Sequence, residues 1–179
     1  MECVNNVIDN KTCNLTTIEE MLEENGWITY KIEGKSMMPM LIPNQDIVTI
    51  QKRKTKQYFE NDVVLYWKKD KLVLHRIIKV LPNNQYVLLG DNCSKKEYGI
   101  TEKNIIGVLS SFRHNGEHYN ISNIAYQNYI KKLRNCEKLR IRRKFIYDLI
   151  SLHLNYLPKK VSIKTKSKLY RLLNIQVKF

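Results

Sequence analysis

The sequence predicts a mainly β protein, built as a compact antiparallel sheet or small barrel with a short N-terminal helix and a basic α-helical C-terminal extension. Between residues 42 and 113, short runs rich in β-branched residues alternate with turn signals such as Pro43-Asn44 and Pro82-Asn83-Asn84. From about residue 120 the apolar residues change to helical spacing, and lysine and arginine fill much of the space between them. An apolar fraction of 43% with only 4 prolines and 6 glycines is typical of a globular chain with a core.

The first predicted element is a helix over Thr16–Glu24. Thr16 or Thr17 can cap its N-terminus, with an acidic residue three positions later closing a capping box. Asn25-Gly26 can end it in a left-handed C-cap. The alternating run Trp27–Glu33 then predicts a strand that leads into a turn containing Ser36.

The next part of the chain predicts at least five strands within about 70 residues, which is typical of a small antiparallel sheet or barrel. The predicted strands are Asp46–Ile50, Asp62–Trp67, Lys71–Val80, Gln85–Leu89 and Asn104–Leu109. In the third strand, strict alternation places His75 and Arg76 on opposite faces.

The net charge of +14 is concentrated at the C-terminal end. Residues 1–117 hold 16 Lys/Arg and 15 Asp/Glu, whereas residues 118–179 hold 15 Lys/Arg and 2 Asp/Glu. This asymmetry predicts a boundary between a domain over 1–117 and a basic helical extension over 118–179. Apolar spacing predicts helix over much of 121–152 and again over Lys164–Leu173, on either side of Pro158.

Four interpretations of the basic extension remain open. Its helices can pack on the β-core with a solvated charged face, lie on an anionic membrane, dock an acidic peptide or partner protein, or bind nucleic acid phosphates. No stacking platform or recognition motif favours nucleic acid.

The cysteines and the N-terminal sequence indicate the cellular compartment of the protein. The cysteines Cys3, Cys13, Cys93 and Cys136 are scattered, which favours free thiols in a reducing cytoplasm over a disulfide framework. His114 and His118 are four residues apart, but no cysteine cluster accompanies them. We therefore expect no metal and no cofactor. No signal peptide and no run of 18 apolar residues is found. We therefore expect a cytoplasmic protein, with the basic extension as a possible peripheral contact at the inner face of the membrane.

Three short motifs carry the candidate chemistry: Gly34-Lys-Ser-Met-Met-Pro-Met-Leu41, Leu74-His75-Arg76-Ile77 and Gly90-Asp91-Asn92. A serine hydroxyl is a weak nucleophile and needs a nearby base. A histidine can take its proton and return it to a leaving amine, and an aspartate can hold that histidine in the required tautomer. Each residue also has an ordinary interpretation, as a turn serine, a structural histidine or an Asx-turn aspartate.

The turn around the serine predicts the remaining parts of such a site. Its main-chain N–H groups can face a developing oxyanion. Gly34 would let a substrate backbone approach, and Pro39 would stiffen the turn. We therefore expect Gly34, Met37 and Pro39 to form the oxyanion and substrate turn.

Together these motifs resemble the signal-peptidase and LexA-repressor superfamily of serine proteases, in its serine–histidine branch. The resemblance implies that Ser36 is the nucleophile and that His75 is the general base, in the place where bacterial signal peptidases and LexA-like proteins carry lysine. It implies that Asp91 supports His75, and Glu97 is the candidate for the second acidic residue that often follows. It covers about residues 27–109 and implies the fold of that superfamily.

The resemblance includes two strands that begin with Asp-(Ile/Val)-Val, at Asp46 and Asp62. Relatives usually carry glycine before these aspartates, whereas Gln45 and Asn61 stand here. Asparagine tolerates a positive φ and glutamine does so poorly, so the shapes of the two turns are expected to differ.

The function implied is that of a serine endopeptidase that cleaves a precursor or leader-bearing peptide through an acyl-enzyme. The lack of a membrane anchor and of a helix-turn-helix makes the chain similar to the anchor-free peptidases of bacterial peptide-natural-product biosynthesis. Two alternatives stay open: a non-catalytic binding or regulatory module of the same fold, and a signal peptidase acting at the membrane.

Overall fold

The computed structural model describes residues 7–8, 15–55, 57–156 and 159–173. Strands are the main secondary structure of its N-terminal two thirds, and helices are that of the remainder. The elements are β1 (Val7–Ile8), α1 (Leu15–Asn25), β2 (Trp27–Lys31), β3 (Ile47–Gln51), β4 (Val63–Lys68), β5 (Lys71–Leu81), β6 (Gln85–Leu89), β7 (Glu97–Thr101), β8 (Ile105–His114), β9 (Glu117–Asn120), α2 (Ile124–Asn135), α3 (Glu137–Leu154) and α4 (Lys159–Leu172).

In the described ranges the strands form one 9-stranded sheet with the order β1-β2-β3-β8-β4-β5-β6-β7, and β9 pairs with β8. β1 pairs with β2 in parallel, and the other pairs are antiparallel. The predicted mainly β, antiparallel class is confirmed, together with its N-terminal helix and C-terminal helices. Because β8 lies between β3 and β4, it joins the two halves of the sheet.

The predicted N-terminal helix is present with slightly different ends. α1 begins at Leu15, before Thr16 and Thr17, whose side chains lie outside the described part of the chain. At the other end Gly26 has φ +77° and donates its N–H to the Leu22 carbonyl at 3.1 Å, as expected of a left-handed C-cap. Ile18 and Leu22 of α1 are buried in the main core.

Strands β7 and β9 are not among the predicted elements. β7 has the sequence Glu-Tyr-Gly-Ile-Thr, and Gly99 interrupts it with φ +74°. Its residues are mostly partly or fully exposed, so it lacks the buried alternation that identifies a strand in sequence. β7 forms through pairing with β6 at the end of the sheet order.

The region after residue 117 does not start as a separate unit. The predicted boundary at 117/118 falls inside β9. Four side chains of α2 (Tyr126, Tyr129, Ile130 and Leu133) belong to the same buried cluster as side chains of α1 and the sheet. α2 is therefore part of the core, held by apolar burial.

The predicted helical stretch over 121–152 is two helices, α2 and α3, separated at Cys136. α4 begins at Lys159, earlier than the predicted Lys164, and Pro158 lies outside the described residues. α3 keeps several large apolar side chains exposed, including Phe145 at 60% and Leu152 at 63%. Docking of this basic extension to an anionic membrane or an acidic partner stays a prediction. No described helix is long and apolar enough to cross a membrane.

The two strand-initiating aspartates hold turns. Asp46 accepts from the Ile42 N–H at 2.6 Å and contacts His114 Nδ1 at 2.7 Å. Asp62 accepts from the Phe59 N–H at 2.9 Å. The two turns differ as expected, because Asn61 has φ +78° whereas the positive φ before Asp46 is taken by Asn44, at +60°, and not by Gln45.

Candidate active site

The structure brings the three motifs together around Gly90. The Asn92 N–H donates to the Ser36 carbonyl at 2.7 Å, and the Asn92 side-chain amide donates to the Lys35 carbonyl at 3.1 Å. A Cβ built on Gly90 would lie 2.7 Å from the Ser36 carbonyl oxygen and 3.0 Å from His75 Cδ2. The serine turn and His75 therefore both contact Gly90, and only a residue without a side chain fits between them.

Buried apolar side chains attach the serine turn to the core. Met37, Met40 and Leu41 are buried, while Ser36 is partly exposed. The Leu41 N–H donates to the Met37 carbonyl at 3.1 Å, and the Met38–Pro39 peptide bond is cis. Because the Met37 side chain is buried in the core, Met37 can offer only its main chain to a substrate.

Gly34 lies in open space at the start of this turn. A Cβ built there would meet no heavy atom within 4 Å, and the residue is exposed. The packing of the chain itself therefore does not require glycine at position 34, and the space beside it is open to another molecule.

His75 projects from the middle of β5 and is 5% exposed. Its Nδ1 lies 3.2 Å from Tyr66 Oη and 3.3 Å from Glu97 Oε1. The Tyr66 hydroxyl also donates to Glu97 Oε2, and Lys68 Nζ contacts Glu97 Oε1 at 2.7 Å. Glu97 and Tyr66 thus hold the Nδ1 side of the imidazole.

The charges of this cluster follow from its surroundings. Burial lowers the pKa of His75 below its ordinary value of 6.5, against the opposing effect of Glu97. Burial by itself would raise the pKa of Glu97, but hydrogen bonds from Lys68 and Tyr66 outweigh it, so the pKa of Glu97 is lowered. Burial, together with the Glu97 carboxylate, raises the pKa of Tyr66. At neutral pH these shifts give an uncharged imidazole beside an ionised carboxylate and a neutral phenol. We assign the imidazole proton to Nδ1, which leaves Nε2 as the free base.

Asp91 lies in a different network, which corrects the expectation that it orients His75. Arg76 Nε and Nη2 donate to the two oxygens of Asp91 at 2.9 and 2.7 Å, and the Tyr129 hydroxyl donates to Oδ2 at 3.0 Å. Arg76 and His75 are neighbours on β5 and point to opposite faces of the sheet. The Asp91 carboxylate lies on the Arg76 face, and its charge is satisfied there.

Glu97, named in the sequence only as a secondary candidate, takes the place beside His75 that was expected for Asp91. Tyr66 was not predicted at all. The signal that could have found it is the antiparallel pairing of β4 with β5, in which Val64 lies opposite His75 and Tyr66 falls on the same face. That pairing is a property of the folded sheet.

An open cavity of about 820 Å³ lies over this cluster. Ser36, His75 and Glu97 line it, and so do Lys144 and Asp148 of α3. The helical extension therefore supplies part of the cavity wall.

Cys93 also lines the cavity, but it is a poor candidate nucleophile. Burial raises the pKa of its thiol, which keeps it protonated at neutral pH. Cys93 and Cys136 are free thiols, while Cys3 and Cys13 lie outside the described residues.

Within the described ranges, no three His, Cys, Asp or Glu side chains come together as metal ligands. His114 contacts Asp46 and the side chain of Asn115.

A mainly antiparallel β protein in which a serine turn and a buried histidine beside a carboxylate line one cavity has the architecture of the LexA-like and signal-peptidase class. The family model described as Peptidase S24-like matches residues 4–110, and the chain belongs to that family. A search of curated proteins finds no relative that matches this chain. The family match ends within β8, so α2, α3 and α4 lie beyond it.

Proposed function

We propose that this protein is a serine endopeptidase in which Ser36 is the nucleophile and His75 is the general base, oriented by Glu97 and Tyr66. The observation that carries the proposal is the placement of His75. Its Nδ1 side is held by a carboxylate and a phenol, its Cδ2 lies beside Gly90, which also contacts the Ser36 carbonyl, and Ser36 and His75 line the same cavity. This matches the roles of a nucleophile, a base and an orienting group.

In the first step, Ser36 Oγ attacks the carbonyl carbon of the peptide bond, and its proton passes to His75 Nε2. The ionised Glu97 stabilises the imidazolium that forms. The oxyanion is met by the main-chain N–H groups of Ser36 and Met37, since no described group accepts a hydrogen bond from either. The tetrahedral intermediate then breaks its C–N bond, and His75 gives the proton to the leaving amine.

In the second step, a water molecule attacks the acyl-enzyme on Ser36. His75 takes the proton of that water and returns it to Ser36 Oγ as the ester bond breaks. The products are two shorter peptides and the free enzyme, so the cycle needs no cofactor.

The substrate proposed is an extended segment of a precursor or leader-bearing peptide. β7 lies at the end of the sheet order and pairs with β6. Three of its residues (Glu97, Tyr98 and Ile100) line the cavity, and Tyr98 is 67% exposed. An extended peptide can add to such an edge through main-chain hydrogen bonds, and the open space beside Gly34 leaves room for its backbone.

The proposal is tested by incubating the purified protein with a mixed peptide library and identifying new termini by mass spectrometry. Cleavage is expected with the parent and absent with Ser36→Ala. Ser122→Ala, an exposed serine between β9 and α2, is the matched control and should cleave like the parent. Equal cleavage by the parent and by Ser36→Ala, or none by either, would contradict the proposal.

A further inference from the structure

The cavity over Ser36 is rich in positive charge. Five lysines and two carboxylates are among its lining residues. The lysines come from the serine turn, β4, the segment between β6 and β7, and α3; they are Lys35, Lys68, Lys95, Lys96 and Lys144. The carboxylates are Glu97 and Asp148.

Three of these lysines already have acidic partners. Lys68 pairs with Glu97 at 2.7 Å, and Lys144 pairs with Asp148 at 2.9 Å. Lys96 pairs with Glu137 of α3 at 2.9 Å. Lys35 and Lys95 are exposed and have no carboxylate partner within ion-pair distance among the described residues. Their two charges are therefore available to a molecule in the cavity.

The positions of these two lysines relate them to the reacting groups. Lys35 is the residue before Ser36, and Asn92 holds its carbonyl at 3.1 Å. Lys95 is two residues before Glu97, which holds His75. The two ammonium groups thus stand on the two segments that carry the nucleophile and the orienting carboxylate.

The segment that carries Lys95 is fixed by the helical extension. Ser94 Oγ donates to Asp148 Oδ2 at 3.0 Å, and the Tyr170 hydroxyl donates to Asn92 Oδ1 at 2.9 Å. Arg140, 5% exposed, donates to the Asp91 carbonyl. Because these hydrogen bonds with α3 and α4 hold the segment beside the cavity, less ordering of Lys95 is required when a ligand binds.

We propose that this cavity selects peptides with aspartate or glutamate beside the bond to be cleaved, and that Lys35 and Lys95 bind those carboxylates. This proposal rests on the proposed peptidase function, because it takes the ligand of the cavity to be a peptide substrate. Peptide binding can nevertheless be measured separately from cleavage. Ion pairs between exposed lysines and the carboxylates of a peptide add modest affinity and are weakened by salt. The same lysines repel positively charged peptides, which strongly reduces the binding of such peptides.

The experiment uses the full-length Ser36→Ala variant, so that binding is measured without turnover. Two fluorescent dodecapeptide pools are compared by anisotropy, with random sequence except for two fixed residues near the centre, which are Glu in one pool and Gln in the other. The Glu pool is expected to bind about 10-fold more tightly at low salt, and the difference should shrink at about 0.5 M salt, where the Debye length is about 4 Å.

A charge-reversed variant locates the effect. Adding Lys35→Glu and Lys95→Glu should remove or invert the preference for the Glu pool. The matched control carries Lys79→Glu and Lys132→Glu, which make the same change of net charge at exposed positions outside the cavity. It should keep the preference. Equal binding of the two pools, or an equal loss in the control, would overturn the inference.

The same pools offered to the parent protein separate this inference from the proposed function. Cleavage of both pools at equal rates would support the proposed peptidase function and overturn the proposed selection of acidic peptides. Preferred binding of the Glu pool without any cleavage supports the acidic ligand class and contradicts the peptidase.

Discussion

His75 and Arg76 are adjacent on β5, and each lies in a buried network with a carboxylate and a tyrosine. His75 meets Glu97 and Tyr66 beneath an open cavity. Arg76 meets Asp91 and Tyr129, and also donates to the Asn61 carbonyl and the Tyr126 hydroxyl. The alternation of a strand is enough to separate the two networks.

The difference between them lies in what each charge can do. Arg76 is 1% exposed and fully paired, so its charge is permanent and serves the fold. Burial lowers the pKa of His75, so the imidazole is neutral near pH 7 and can accept a proton. Similar side-chain types therefore give a structural ion pair on one face and a candidate base on the other.

Replacing His75 should have the largest effect on activity. His75→Gln keeps a polar side chain of similar size but removes the base, so kcat/KM for a cleaved peptide should fall by about 10³-fold or more. Peptide cleavage and thermal unfolding are measured together, and the unfolding temperature should change little. His118→Gln on exposed β9 is the control with full activity expected. Retained cleavage in His75→Gln would remove His75 from the mechanism.

Replacing Asp91 should affect mainly stability. Asp91→Asn leaves the buried Arg76 charge without its carboxylate, and the free energy of unfolding should fall by about 3–5 kcal/mol. Urea denaturation measures this change. Adding Arg76→Met removes the unpaired charge and should recover part of the loss. A stable Asp91→Asn protein with a large loss of kcat would instead favour the sequence-based role of Asp91 as the partner of His75.

Replacing Glu97 should reduce activity and shift its pH profile. Glu97→Gln should lower kcat/KM by about 10²-fold, because the imidazolium loses its carboxylate. The parent should lose activity on acidification with a midpoint below 6.5, since burial lowers the pKa of His75 and the base must be neutral. Glu97 raises that pKa, so its removal should move the midpoint to still lower pH.

The profile is measured as kcat/KM from about pH 4 to about pH 8, a range that spans the ordinary pKa of histidine, with Glu102→Gln at an exposed position as the control. An unchanged midpoint in Glu97→Gln would show that Glu97 does not interact with the base.

Replacing Gly90 tests the close approach that joins the serine turn to His75. In Gly90→Ala the new methyl group would meet the Ser36 carbonyl and Cys93 Sγ, each at 2.7 Å, so the protein should lose about 1–3 kcal/mol of stability. Gly34→Ala meets no atom within 4 Å and should keep its stability in the same thermal unfolding assay. Equal stability of both variants would mean that the segment at Gly90 relaxes freely.

Much of the fold could be predicted because it is encoded in local patterns. The buried strands β3, β4, β5, β6 and β8 carry β-branched runs, and α1 ends at an asparagine–glycine stop. β7 could not be predicted, because Gly99 and its exposed residues give no alternation and only pairing with β6 makes it a strand. The distribution of charge predicted the boundary at 117/118. A count of charges gives no information about the tyrosines that α2 buries in the core.

For the site, the sequence by itself determined which residues are the candidate nucleophile and base. Ser36 and His75 sit in short local motifs, and the family resemblance assigned their roles. Only the tertiary structure decided which carboxylate meets the imidazole. The partners depend on the face to which β5 turns each side chain and on the pairing that brings β7 beside β6. As a result, Asp91 pairs with Arg76, and Glu97 pairs with His75. The physical reason is that a strand's alternation is local, whereas the partner across a sheet is set by long-range pairing.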